Sequence, residues 1–404
     1  MSRSRRWALA GAASAALAGL LGWQWLAADT ALTESQGGGP ASTAQTAAGG
    51  ASRPVQGTAG GPFSAAGLAA RQQQLVLWQQ RYVRAEQVYT SYRDATRYPP
   101  ESRLIEEHPD QVRPFEPVVE ELPMREASGK PVKGLRLRTS QSQVFVAGAD
   151  SAKFTIEAVD EEGRAVPLVV NRSAAQSMPD TTALIAIIQA EVPFVDDGAG
   201  PDEVAADGKY SARLVPAAQG FGSHAGTIRV LVQVTANGER GAVAFDVIYG
   251  PAAPATWAGV REALEEGSLN FYLKAQVKTS GRYVASGRVY DATGQPFALL
   301  QFNEMVPAGA AEFKLSLAGV LVHDKNPVFP LRLVDVEGFL LQPDTFPDRA
   351  MMPRQPGVVH QSKRYNTQDF SPAEWQSEER DRYLAEYGRD MQEALDQMSR
   401  LRGK

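Results

Sequence analysis

The sequence predicts a mainly β protein: two antiparallel sandwiches of immunoglobulin-like type, with an N-terminal transmembrane helix and flanking amphipathic helices. Three observations carry that reading. Apolar residues alternate with period two from 134 to 250 and again from 268 to 342, as half-buried strands require. Asn237-Gly238 stands between two such runs, a strong hairpin signal because both residues tolerate positive φ. Near the start, Trp7 to Ala28 is apolar except for Ser14 and Gln24, and about 22 residues suffice to cross a bilayer as one helix.

The N-terminal segment sets the orientation. Arg3, Arg5 and Arg6 precede it and the first acid is Asp29, so the positive-inside rule keeps the N-terminus in the cytoplasm and exports the rest. A cleaved signal peptide shares the charged start and alanine-rich middle. The length of the run, and Trp23-Gln24-Trp25-Leu26 before Ala27, favour an uncleaved anchor over residues 1–28. Residues 29–63 are mostly Gly, Ala, Ser, Thr, Gln and Pro with little to bury, so they read as a flexible tether.

A helix is expected over 64–97. Leu68, Leu75, Tyr82 and Tyr89 fall seven apart, with Trp78, Ala85 and Tyr92 interleaved, which gives an aromatic stripe on one face. That stripe suits packing onto the protein's own sandwich, or a seam with another copy or partner. Pro99-Pro100 ends the helix, and 98–133 is expected to be a proline-rich extended strap.

The first sandwich is expected over 134–250, with about seven short strands in about 115 residues. Within it, Thr182 to Val195 reads as a central strand. Residues 251–267 form a joint with a short helical patch around Trp257 to Glu266. The second sandwich spans 268–342, and 343–404 holds a proline-rich tail and a C-terminal amphipathic helix. Ser371-Pro372-Ala373-Glu374 has the form of a capping box with proline at N1, and Phe370 with Trp375 that of a hydrophobic staple.

The densest run of side-chain oxygens is Pro193 to Tyr210. Asp196, Asp197, Asp202, Glu203 and Asp207 lie among Gly198, Gly200 and Gly208. Asp-Gly steps form turns on chemistry alone, so one reading is an ordered connection. The other is a structural calcium site, with Asp196, Asp197, Asp202 and Asp207 as ligands, since hard cations take several oxygens from a flexible loop. The spacing is not that of an EF-hand.

The run D-D-G-x-G-P-D-x-x-A-x-D-G-x-Y, Asp196 to Tyr210, resembles a signature of bacterial cell-envelope proteins built from immunoglobulin-like sandwiches, including the choice-of-anchor X domain proteins. The matching positions are Asp196, Asp197, Gly198, Gly200, Asp202, Asp207, Gly208 and Tyr210. A second piece, G-R-Y-x-x-x-G-R-V-Y-D-x-x-G-x-P from Gly281 to Pro296, resembles their accessory sandwich. The likeness is close over the acidic loop and looser from 134 to 342. It implies a loop between strands of a first sandwich, a second sandwich behind it, and a place in the envelope.

Composition and missing motifs exclude most chemistry. The chain has 404 residues, 43% of them hydrophobic, a net charge of −5 and no basic block beyond the N-terminus, so no nucleic-acid partner is expected. There is no cysteine, which removes disulfides, thiol catalysis, zinc-thiolate sites and a lipid-modified cysteine. His108, His224, His323 and His360 are scattered and no H-E-x-x-H occurs. Gly220-Phe221-Gly222-Ser223-His224-Ala225-Gly226 misses the dinucleotide fingerprint at Ala225 and the serine-hydrolase elbow at Phe221. The expectation is a non-enzymatic, single-pass protein of the bacterial inner membrane, without a cofactor other than calcium, whose bulk in the periplasm contacts other envelope proteins. The alternative is a calcium-stabilised module for glycan or peptide. Self-association through Tyr82, Tyr89, Tyr387 and Met391 is a further expectation.

Overall fold

The computed structural model describes residues 64–126, 128–179 and 187–403. The anchor expected at Trp7–Ala28 and the tether at 29–63 lie outside them. Among the described residues no helix is long and apolar enough to cross a membrane. The chain divides after Gln74 into two compact units, and the second holds every described element except the first turns of α1.

Helix α1 spans Ala65–Ala95 and starts where Ser64 Oγ accepts the amide of Gly67. Of its expected stripe, Leu75, Trp78, Tyr82, Ala85, Tyr89 and Tyr92 are half-buried but Leu68 is exposed, as are Val76, Leu77, Val83 and Val88. The strap is more ordered than its prolines suggest. It contains β1 (Ser102–Leu104), which pairs with Ala298 to Leu300 of the second block, and β2 (Val118–Arg125). Pro123 is tolerated within β2 because the strand's second edge is paired only at Arg125.

The first block continues with β3 (Pro131–Gln141), β4 (Phe145–Ala147), β5 (Ala152–Val159), β6 (Ala165–Val166), β7 (Leu168–Ser177), β8 (Gln189–Glu191), β9 (Tyr210–Leu214), β10 (Gly226–Ala236) and β11 (Glu239–Gly250). Their ladders form one sheet in the order β6-β5-β3-β2-β11-β10-β7-β8, with β9 beside β5 and β4 beside β11. All pairs are antiparallel except β4 with β11. The link between β2 and β11 is a single residue pair, Arg125 with Ala242, so the sheet falls into two halves. Alternation explains what lies between them: Leu135, Leu137, Phe154 and Ile156 from one half meet Val230, Val232, Phe245 and Val247 from the other in one core. The Phe154 and Phe245 rings sit 4.8 Å apart across it.

Asn237 (φ 49°) and Gly238 (φ 83°) make the two-residue turn between β10 and β11, as expected. Thr182 to Val195 differs from expectation. Residues 180–186 lie outside the described residues, and the rest contributes only the short edge strand β8 and an isolated pairing of Val195 with Ser211.

The second block has β12 (Ala255–Glu265), β13 (Ser268–Val277), β14 (Gly281–Tyr290), β15 (Pro296–Val306), β16 (Gly309–Leu317), the short helix α2 (Gly319–Lys325), β17 (Arg332–Leu341), β18 (Arg349–Met351) and β19 (Gln355–Gln361). One sheet is β12-β13-β16; the other is β1-β15-β14-β17-β18, with β19 also on β17. They enclose a core in which Phe302 and Phe313 stack at 4.8 Å. The expected helical patch around Trp257 is a strand instead. Glu266 and Gly267, both at positive φ, turn β12 tightly into β13, and the pairs Leu264–Leu269 and Glu265–Ser268 bracket that turn. A helix-like spacing in this short run yielded to the hairpin.

Helix α3 spans Glu378–Arg402 and is capped by Ser377, whose Oγ accepts the Arg380 amide at 3.1 Å. The expected box at Ser371–Glu374 is not helical. Phe370 is drawn into the second core beside Phe329, and the Ser371 amide donates to Gly267 O at 2.9 Å, so tertiary anchoring overrides the local signal. α1 and α3 run antiparallel: Thr96 meets Arg380, Tyr92 meets Tyr383 and Tyr387, and Tyr89 lies by Gly388. Tyr89 and Tyr387, expected in a seam between copies, are thus used within one chain.

Candidate functional site: the acidic loop

The loop is closed at its base by two hydrogen bonds, Val195 N to Ser211 O (2.9 Å) and Ser211 N to Val195 O (2.8 Å), just before β9. Within it, Gly198 (φ 71°) turns the chain so tightly that an added Cβ would lie 3.0 Å from the Ala205 amide nitrogen. Gly208 (φ 80°) makes the second reversal.

Each aspartate has a defined local task. Asp196 accepts the amides of Asp207 (3.1 Å) and Gly208 (3.0 Å), tying the two ends of the loop together. Asp202, nearly fully buried, accepts the Gly198 amide at 2.7 Å and the Ser211 hydroxyl at 3.3 Å. Asp197 accepts the Ala199 amide and Asp207 the Lys209 amide, both at 2.9 Å. The last two are the Asx turns that the Asp-Gly steps foretold.

The folded loop brings together three of the four expected ligands, Asp196, Asp202 and Asp207, with one carboxylate oxygen from each within 4.8 Å of the others. Oxygens bound to one calcium ion at about 2.4 Å can lie no farther apart than about 4.8 Å, so these three fit a common cation. Their main-chain hydrogen bonds leave lone pairs on every carboxylate. Asp197, the fourth expected ligand, is not in this group; its carboxylate caps its own turn. Glu203 points to Lys153 on β5, 2.6 Å away, and that ammonium holds its carboxyl below the usual range. Lys153 and Ser211 were not read from sequence. The only sequence signal for Ser211 is its place in the alternating run that leaves the loop.

Three histidines make contacts that hold neighbouring segments. His224 Nε2 lies 3.1 Å from Thr227 O, and His323 Nε2 lies 2.9 Å from Phe370 O. His360 Nε2 is 3.0 Å from Glu262, whose other oxygen accepts the Lys363 amide and the Tyr365 hydroxyl. Burial, then the Glu262 contact, push the Tyr365 phenol up to about 12. This cluster fastens the segment after β19 to β12.

No family model matches the chain, and no curated protein does. Among solved structures the chain is similar to a DUF4785 family protein from Legionella pneumophila, at 12% identity over 56% of this chain and 57% of that one, with a TM-score of 0.37. It is also similar to dimeric latent PorU from Porphyromonas gingivalis, at 12% identity over 62% of this chain and 21% of that one, with a TM-score of 0.16. The chain therefore spans little more than half of the first protein and about a fifth of the second.

Proposed function

We propose that this protein is a non-enzymatic, membrane-anchored adaptor of the bacterial envelope. In this reading Trp7–Ala28 holds it in the inner membrane with the N-terminus in the cytoplasm, and residues 29–63 tether the remainder in the periplasm. Its two β blocks act as immunoglobulin-like sandwiches of the kind found in choice-of-anchor X domain proteins. The supporting observation is the outer face of α1. Val76, Leu77 and Val83 are exposed there, although the other face of the same helix is engaged by α3 and Val88 borders that contact. Bare aliphatic residues along one helix cost solvation and suit a protein partner. Site-specific photo-crosslinking from position 83 in living cells tests it. Adducts with another envelope protein, or with a second copy, are expected, and their absence from both 77 and 83 would remove the adaptor surface.

The second reading, a calcium-stabilised binding module, is favoured by the convergence of Asp196, Asp202 and Asp207. Calcium would shape the loop and take no part in a reaction.

A further inference from the structure

The two halves of the first block part company along β2. Strand β2 pairs with β3 from Val118 to Arg125, but its other edge meets β11 only at Arg125. There Met124 fills the space over Gly241, where an added Cβ would lie 2.5 Å from Met124 Cγ. By strand alternation Leu122, Glu120 and Val118 share the face of Met124. Met124 is fully buried, yet Leu122 is 41% exposed and Val118 49%, and Val119 on the opposite face is 64% exposed. Farther along, the Gln141 side-chain amide of β3 reaches Asp246 O of β11 at 2.9 Å, so the two halves are tied there through β3 and not through β2. Among the described residues no strand pairs with this edge of Val118 to Leu122, which bears apolar side chains, and unpaired main-chain groups there can take another strand.

Charge decides what kind. Glu121 is matched by Arg136 and Arg138 of β3, both at 3.2 Å. Glu120, opposite Thr139, has no cationic partner among the described residues. A second copy in the register that pairs all five residues would set Glu120 against Glu120, and like charges directly opposed are unfavourable.

We propose that β2 is a β-addition site for an extended segment of another protein, with an Arg or Lys opposite Glu120 and apolar residues two places to either side. The segment would add its main chain to the edge of Val118–Leu122 and set its apolar residues beside Val118 and Leu122. This surface is separate from α1, and either stands if the other falls.

The test pans a display library of random nine-residue peptides against the purified full chain. Enriched peptides are expected to carry one base flanked at both second neighbours by Val, Ile, Leu, Phe or Tyr. The leading synthetic peptide should bind about tenfold more weakly to the Glu120→Lys variant and slow amide exchange over 118–122. Exchanging the peptide's base for Glu should restore binding to that variant. Glu120 is exposed, so the substitution spares the core, and an unchanged melting curve checks this. No enrichment, a pattern without a base, binding indifferent to Glu120→Lys, or protection elsewhere would overturn the proposal and leave Glu120 as a charge that guards an edge.

Discussion

Arg288 of β14 donates from Nε to the main-chain oxygen of Gln111 at 2.9 Å and from Nη2 to its side-chain oxygen at 2.7 Å. The guanidinium is fully buried and also reaches Asp335 O at 2.8 Å and Glu337 at 2.9 Å. One buried cation thus pins the strap to the second sheet, and Tyr290 adds a bond to Val112 O at 2.9 Å. Removing it strands Glu337 and several oxygens, which in buried networks costs about 3 kcal/mol or more. Arg288→Met is expected to lower the melting temperature and to open 105–117 to limited proteolysis. Arg288→Lys should not rescue it, because an ammonium cannot reproduce the fork.

The acidic loop makes a prediction about calcium. If the three converging carboxylates hold an ion, millimolar calcium raises the melting temperature and EDTA returns it, since a ligand bound only by the folded state stabilises it. Asp207→Asn should abolish that response while leaving the melt in EDTA little changed, because Asp207 is exposed. Asp197→Asn should leave the response intact. An EDTA-insensitive melt would assign the loop to its Asx turns alone.

A pH dependence follows from Asp324. Its carboxylate accepts Arg97 Nε (2.8 Å), Arg97 Nη2 (2.9 Å) and the Tyr98 hydroxyl (2.8 Å), joining the end of α1 to α2. The Arg97 hydrogen bond, against opposing burial, holds this carboxyl below its ordinary 3.8. The folded value lies below the unfolded one, so the contribution is present above about pH 4 and is lost as pH falls through the folded value. Burial and then the Asp324 contact push the Tyr98 phenol from 10.0 up to about 12. There the folded state keeps its proton longer, so stability falls as pH rises through that window. Asp324→Asn should cost about 1 kcal/mol at pH 7 and flatten the acid limb in urea melts across pH.

The helical pair rests on an aromatic trio. The Tyr92 ring lies 5.6 Å from Tyr383 and 5.4 Å from Tyr387, both edge-on. Tyr92→Ala should weaken this pairing by about 1–3 kcal/mol. Hydrogen exchange should then speed up along α3 while both β blocks stay protected. Uniform acceleration would mean the helices and sheets unfold as one.

Signals confined to neighbouring residues were legible in the sequence. Asn237-Gly238 needed only its own φ preference and two alternating flanks. The alternation of Leu135 and Leu137, or Val230 and Val232, gave the buried faces. What failed had a tertiary cause. Ser371–Glu374 has every mark of a helix start, but burial of Phe370 and the Gly267 contact hold it extended. In the loop the residue types pointed to Asp196, Asp197, Asp202 and Asp207, and folding brings together all of these but Asp197, whose carboxylate is taken by its own turn. The open edge at Glu120 depends on where β11 ends its pairing, which no local pattern records.

The central claim is that the β blocks work outside the cytoplasm, attached by the first thirty or so residues. Fusing alkaline phosphatase and, separately, a fluorescent protein that matures only in the cytosol after Lys404 tests it directly. The account predicts phosphatase activity in the membrane fraction and a dark fluorescent fusion. A bright fluorescent fusion with inactive phosphatase would contradict it.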